Sequence, residues 1–168
     1  MKSVLISIKP KYCELIANGK KTIELRKTRT KLDTPFKCYI YETQAKCDVP
    51  QFVDEDGHVD YRGRGQVIGE FVCDGITELI PISTPSIGVY RYLFASDEFK
   101  KAACLDAEKL LQYGKGKALY GWSILSTKIY DEPKGIGEFK HWTNSGMWWC
   151  KEKLSRPPQS WCYVEELK

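Results

Sequence analysis

The chain has 168 residues, 42% hydrophobic and 29% charged, a near-average globular composition that excludes disordered and fibrous proteins and is enough to bury a core without covalent staples. No apolar run approaches the roughly 18 residues that span a bilayer, so no membrane association is expected. The net charge of +4 is uneven: residues 1–46 hold 11 Lys/Arg against 4 Asp/Glu, and the remainder hold 15 against 18. Within the one domain expected over residues 1–168, such segregation points to an anionic, phosphate-bearing partner. A merely solubilising basic face is the competing reading.

Val4, Leu5, Ile6 and Ile8 form an apolar run that ends at Pro10 and predicts a first strand. The opening MKSVLISIKPKY contains neither a long apolar stretch nor a small-residue cleavage site, and a cytoplasmic location is expected. PKYCELIANG starts with proline in a permissive first turn, spaces its apolar residues near helical period and closes on Asn18 and Gly19, which predicts a short helix. TIELRK alternates, with Ile23 and Leu25 on one face and Thr22, Glu24 and Arg26 on the other, so a half-buried strand follows.

FKCYIYET (36–43) reads as a third strand, and residues 46–65, with DEDG at 54–57, as a polar loop. GQVIGEFVCDGITEL (65–79) reads as one long strand bent near Gly69 or Gly75, a pattern suited to barrel corners. Ser96 and Asp106 are placed to cap two short helices, or one broken helix, over 96–114, with Gly114 as the stop. ALYGWSILSTKIY (118–130) is the longest β-like stretch, and SWCYVEEL supplies a closing strand after the Arg156-Pro157-Pro158 turn. The sum is an α+β fold centred on a small mixed or antiparallel β-barrel with short flanking helices.

Cys13, Cys38, Cys47, Cys73, Cys104, Cys150 and Cys162 are scattered without a CxxC pair, and only His58 and His141 could complete a metal set. Free thiols are expected, with neither metal nor organic cofactor. Neither histidine has an identifiable serine and acid partner, and the GIG and GKG stretches are too short for phosphate-binding fingerprints.

The sharpest local feature is GKKTIELRK (19–27), where Lys20, Lys21, Arg26, Lys27, Arg29 and Lys31 crowd around one acid, Glu24. Taken alone, it could be an exposed strand laced with surface ion pairs of little energetic weight. It also resembles the G-x-K-x-x-E-x-R signature of the ASCH family, matched by Gly19, Lys21, Glu24 and Arg26 after a strand and a helix. The VIGEF, YGKGKALYGWSI and RPPQSWCYVEE segments extend that likeness over most of the chain, toward ASCH proteins of bacterial or prophage type.

The resemblance implies a PUA-like barrel with a basic cleft for RNA or a nucleotide or nucleoside. Lys21, Glu24 and Arg26 would lie in that cleft, with Lys9, Lys27 and Lys115 as weaker electrostatic contributors. These residue types suit the role, because Lys21 and Arg26 can contact phosphate or a base acceptor, and Glu24 can accept from an amino group or orient Lys21. Tyr113, Tyr120 and Trp122, near Lys115 and Lys117, could stack a base. For Trp122, and for Trp142, Trp148, Trp149 and Trp161, core packing is the favoured reading.

One branch resembling this fold hydrolyses N4-acetylcytidine with a lysine, a threonine three positions later and a distant glutamate. Lys21 matches the first position, but the second is Glu24, and a carboxylate cannot replace a hydroxyl nucleophile unaltered. Thr22 should face away from Lys21, and Glu70, Glu98 and Glu108 are equal candidates for a third group. The first reading is an RNA- or nucleotide-binding module. The alternative is a hydrolase acting on a modified nucleoside or RNA phosphodiester, with Lys21 and Glu24 as its catalytic pair.

Overall fold

The apolar run at the start of the chain forms β1 (Lys2–Ile8) in the computed structural model, which describes residues 1–45, 52–53, 59–60, 62–84, 89–142 and 152–167. There follow α1 (Pro10–Ala17), β2 (Ile23–Arg26), β3 (Phe36–Glu42), β4 (Phe52–Val53), β5 (Val59–Asp60), β6 (Val67–Cys73), β7 (Ile76–Leu79), β8 (Pro81–Thr84) and β9 (Val89–Tyr92). The later elements are α2 (Asp97–Ala103), α3 (Ala107–Gly114), β10 (Leu119–Ser123), β11 (Leu125–Lys134), a 3-10 turn at Ile136–Glu138 and β12 (Trp161–Glu165). The class is α+β, as the order of predicted elements implies. The chain divides into unit 1 (Met1–Ala17, Lys37–Phe71, Thr127–Lys168) and unit 2 (Asn18–Phe36, Val72–Ser126).

Unit 1 is built on a five-stranded sheet of order β11-β6-β3-β1-β12. β1 runs parallel to β3, with Leu5 opposite Tyr39, and antiparallel to β12, with Leu5 opposite Cys162. Residues 3–8 are all buried, on both faces, as a central strand requires. Leu5, Tyr39, Tyr41, Val67, Phe139, Leu154 and Val164 form the core, where Tyr39 and Phe139 meet edge to face at 5.0 Å. Gly69 sits in a close approach, since a Cβ there would lie 2.4 Å from the Lys128 carbonyl oxygen. β6 continues past it, and the expected bend falls near Gly75 instead, where β6 has ended and β7 enters another sheet.

Unit 2 carries a three-stranded antiparallel sheet, β2-β10-β7, and the two-stranded β8-β9 sheet, which the sequence reading did not anticipate. Leu25, Leu79 and Leu119 share a core with Phe99 and Ala103 of α2, Leu110 of α3 and Tyr92 of β9. Gly121 faces Leu25 in the ladder, and a Cβ there would sit 2.6 Å from Phe99 ring carbons, so its bareness admits α2. Ser96 and Asp106 cap as predicted, accepting from the backbone N–H of Phe99 at 3.1 Å and of Lys109 at 2.7 Å.

The β-like stretch 118–130 is strand on both sides of Ile124, but its two halves, β10 and β11, lie in different sheets. Gly114 is the last helical residue of α3, and Lys115 takes the left-handed cap at φ 50°; glycine is required at 114 because a Cβ would overlap the Tyr92 hydroxyl. Within the expected polar loop, Phe52–Val53 pairs with Val59–Asp60; the DEDG turn, His58, Cys47, Cys150, Trp148 and Trp149 lie outside the described residues. Trp122 is fully buried against Phe36, their rings edge to face at 5.5 Å, and Trp142 and Trp161 are half-buried. Cys13, Cys38 and Cys73 are buried free thiols, Cys104 and Cys162 half-buried ones, and burial pushes Cys73 and Cys162 up to about 11. Among the described residues, no helix is long and apolar enough to cross a membrane.

A charged row crosses the unit 1 sheet. Lys37 on β3 bridges Glu70 on β6 at 3.2 Å and Glu166 at 3.0 Å, and the Tyr130 hydroxyl on β11 donates to Glu70 at 2.5 Å. Burial works to raise the Glu70 carboxyl, but the Tyr130 hydroxyl and the Lys37 ammonium outweigh it and hold the group below its ordinary range. Stability from a lowered carboxyl is present above its unfolded pKa and is lost as pH falls through the folded value. Tyr130→Phe is therefore expected to cost about 1.5–3 kcal/mol at neutral pH. The loss should shrink in acid, at a pH below the lowered Glu70 pKa where the carboxyl protonates. Urea unfolding at the two pH values checks this, and an equal loss at both would show that Tyr130 contributes packing alone.

Candidate functional site

The signature segment lies wholly in unit 2, where three of its charged residues converge. Glu24 and Arg26 stand on β2, paired in register with Trp122 and Tyr120 of β10, so their side chains share a sheet face with the buried indole. Lys21 precedes the strand. Its ammonium lies 3.4 Å from Glu24 Oε2, and Arg26 Nη2 lies 3.0 Å from Glu24 Oε1, so one carboxylate holds a cation on each oxygen. The side chains are only 2%, 9% and 8% exposed for Lys21, Glu24 and Arg26. The predicted polar face of β2 is thus buried, and the strand is covered on both sides. Thr22, just before the strand, is exposed, whereas Lys21 is buried.

A partner that no local pattern announces completes the arrangement. Lys21 Nζ donates to the Ala103 carbonyl at 2.7 Å, at the C-terminal end of α2, where unpaired carbonyls and the helix dipole favour a cation. Thr22 N–H donates to the Ala102 carbonyl at 2.9 Å, and the Cys104 thiol to the Lys20 carbonyl at 3.4 Å. These three bonds clasp residues 20–22 to residues 102–104. Cys104, in a left-handed conformation at φ 54°, ends the helix there. The contact spans 82 residues, and the only sequence signal for it is the Ser96 cap, which fixes where α2 begins and hence roughly where it ends.

The remaining predicted residues divide. Lys27, immediately after β2, is exposed, and its ammonium lies 4.8 Å from the centroid of the Tyr113 ring. The Tyr113 hydroxyl donates to the Leu25 carbonyl at 3.4 Å, between Glu24 and Arg26. Lys115 is exposed two residues further on. Tyr120 is half-buried, with its hydroxyl 3.3 Å from Glu78 Oε1. Lys9 is exposed in unit 1, between β1 and α1. Glu70 belongs to unit 1 and to Lys37 and Tyr130; Glu98 and Glu108 are exposed in the first turns of α2 and α3, and Glu108 accepts from Gln112 at 3.0 Å.

Two cations and one carboxylate leave the buried cluster with a net positive charge. Its chemical capacity is charge-assisted hydrogen bonding: the carboxylate can accept, the guanidinium and ammonium can donate, and all three are pre-oriented by packing.

The ASCH domain family model matches residues 6–117. The whole chain is similar in fold to the crystal structure of ASCH from Zymomonas mobilis, at a TM-score of 0.60 and 17% identity, covering 98% of this chain and 88% of that one. A tyrosine-to-phenylalanine variant of the Zymomonas mobilis protein gives a TM-score of 0.58 at 18% identity, covering 99% and 92%. A serine-to-alanine variant gives 0.55 at 16%, covering 98% and 89%. No curated protein matches the chain.

The geometry makes Glu24 the hub, which sets an order of substitution effects. Glu24→Gln leaves two cations buried without their carboxylate and is expected to cost about 3–5 kcal/mol. Lys21→Met leaves the Glu24–Arg26 pair intact, fills the volume with an apolar chain and should cost about 1–2 kcal/mol. Urea unfolding at neutral pH measures both, and the reverse order would make Lys21 the hub.

Proposed function

This chain belongs to the ASCH domain family, and we propose that it is an RNA- or nucleotide-binding module that recognises its ligand through Lys21, Glu24 and Arg26. The family is one proposed to bind RNA. A PUA-like barrel formed by residues 1–168 as one ASCH domain is part of the same reading, supported by the likeness to the Zymomonas mobilis structures over 98–99% of the chain.

The observation that carries the proposal is the burial of the charged trio. Removing three charged groups from water costs several kcal/mol per ion, and apolar residues of the same volume commonly serve stability as well or better. A stability role therefore gives little reason for lysine, glutamate and arginine together at over nine-tenths burial, whereas a recognition role needs fixed donors and acceptors. The edge of a base supplies the complements, an exocyclic amino group for Glu24 and ring or carbonyl acceptors for Arg26 and Lys21. The narrow exposure of the trio suits a planar base edge better than a polyphosphate. Phosphates are left to the exposed lysines, Lys27 and Lys115 in unit 2, while Lys9 adds to the basic surface of unit 1.

The Lys21–Glu24 contact is also the minimum for acid–base work, so turnover must be tested together with binding. Purified protein, Lys21→Met and Arg26→Gln are to be titrated with single-stranded RNA, nucleosides and N4-acetylcytidine at two salt concentrations, with product analysis. The expected result is salt-sensitive RNA binding, competed by free nucleosides and weakened at least 10-fold in both variants, without product. Product that disappears in Lys21→Met would make the protein a hydrolase, and unchanged binding in folded variants would remove the trio from the ligand site.

A further inference from the structure

We propose that Tyr113, Lys27 and Lys115 form a second nucleotide subsite beside the trio, so that the preferred ligand is a single-stranded oligonucleotide rather than a mononucleotide. The inference rests on the reading of the trio as a base-recognition site and extends it to a neighbouring nucleotide. Tyr113 stands next to last in α3 with 37% of its surface exposed, and its hydroxyl is anchored on the Leu25 carbonyl. Leu25 separates Glu24 from Arg26, so the exposed ring borders the strand that carries these two members of the trio.

Lys27 lies beside the ring, and Lys115 and Lys117 follow Tyr113 in the sequence. Beyond α3 the chain turns tightly: Lys117 N–H donates to the Gly114 carbonyl at 3.0 Å, and the Tyr92 hydroxyl donates to the Lys117 carbonyl at 2.7 Å. This turn fixes the backbone carrying the exposed Lys115 and Lys117. No acidic residue occurs between Glu108 and Asp131, or between Glu24 and Asp33, so neither segment supplies a carboxylate to neutralise these lysines. An exposed aromatic ring among lysines is the arrangement that takes a base on its face and phosphates on its flanks.

Lys27 makes the subsite an exchange. Without ligand, its ammonium lies over the Tyr113 ring at 4.8 Å, a cation–π contact that is weak at an exposed position. A base stacked on the ring is worth more, and the displaced ammonium gains a charge-assisted contact with phosphate. Both partners of the original contact are thus satisfied in the complex, one by the base and one by the backbone.

The test compares a ribonucleoside monophosphate with single-stranded RNA of about eight nucleotides. Titrations use wild type, Tyr113→Leu, Tyr113→Phe and Lys21→Met, each verified as folded by thermal melting. Tyr113→Leu is expected to weaken oligonucleotide binding roughly 10-fold while leaving the mononucleotide within about twofold. Tyr113→Phe should retain wild-type oligonucleotide affinity, since it keeps the ring. Equal losses for both ligands, or no loss for the oligonucleotide, would overturn the second subsite, as would equally tight binding of an acidic peptide of matched charge. If Tyr113→Leu weakens the oligonucleotide while Lys21→Met changes nothing, the stacking subsite stands and the trio reading falls. If wild type binds no RNA, both fall.

Discussion

The Glu24 carboxylate is the point on which unit 2 turns. It lies between Lys21 and Arg26 with an oxygen toward each, and on its own strand it has no apolar alternative that would hold both cations. Lys21, so held, reaches the end of α2 and draws that helix against the start of β2, while Leu25, between the two charged residues of the strand, turns to the other face and enters the core with Phe99 and Leu119. The alternation of β2 thus sorts charge and hydrocarbon to opposite sides of one strand, with both sides buried. The charged side is costly to bury and the apolar side supplies the packing that makes the cost tolerable.

This division explains why local pattern marks the segment as a charged strand and misjudges its surroundings. Local chemistry was legible: Pro10 opening a helix, Gly19 in a left-handed turn after it, and Ser96 and Asp106 as caps all act over a few residues. What a strand meets on its second face is decided by residues far away, and Glu24 and Arg26 look solvent-facing by period alone. The same limit applies to residues 118–130, whose β-propensity is continuous although its two halves enter different sheets at Ile124. Gly114 misled differently. Its helix stop is real, but the glycine is needed for the space taken by Tyr92, and the left-handed residue is the lysine after it.

Charge shows the same division between what is local and what is tertiary. The excess in residues 1–46 counts every cation equally, yet the fold commits several of them. Lys21 and Arg26 share Glu24, and Lys37 is held by Glu70 and Glu166, so burial works against its ammonium but the two carboxylates outweigh it and raise its pKa. Among the exposed cations are Lys9, Lys20, Lys27 and Arg29, three of them in the segment around β2. The electrostatic footprint is therefore narrower than the composition suggests, and more concentrated on unit 2.

The pairing of β1 carries a consequence for how the protein comes into being on the ribosome. β1 is flanked by β3 on one side and by β12 on the other, and Ser7 bonds to Pro158, 151 residues away. During synthesis this very apolar strand emerges well before its second neighbour, which begins only at Trp161. Non-local closure of this kind slows folding and leaves an unpaired edge open during synthesis. The early β1-α1 segment would then depend on β3, thirty residues behind it, as its first shelter, and β12 would seal the edge last.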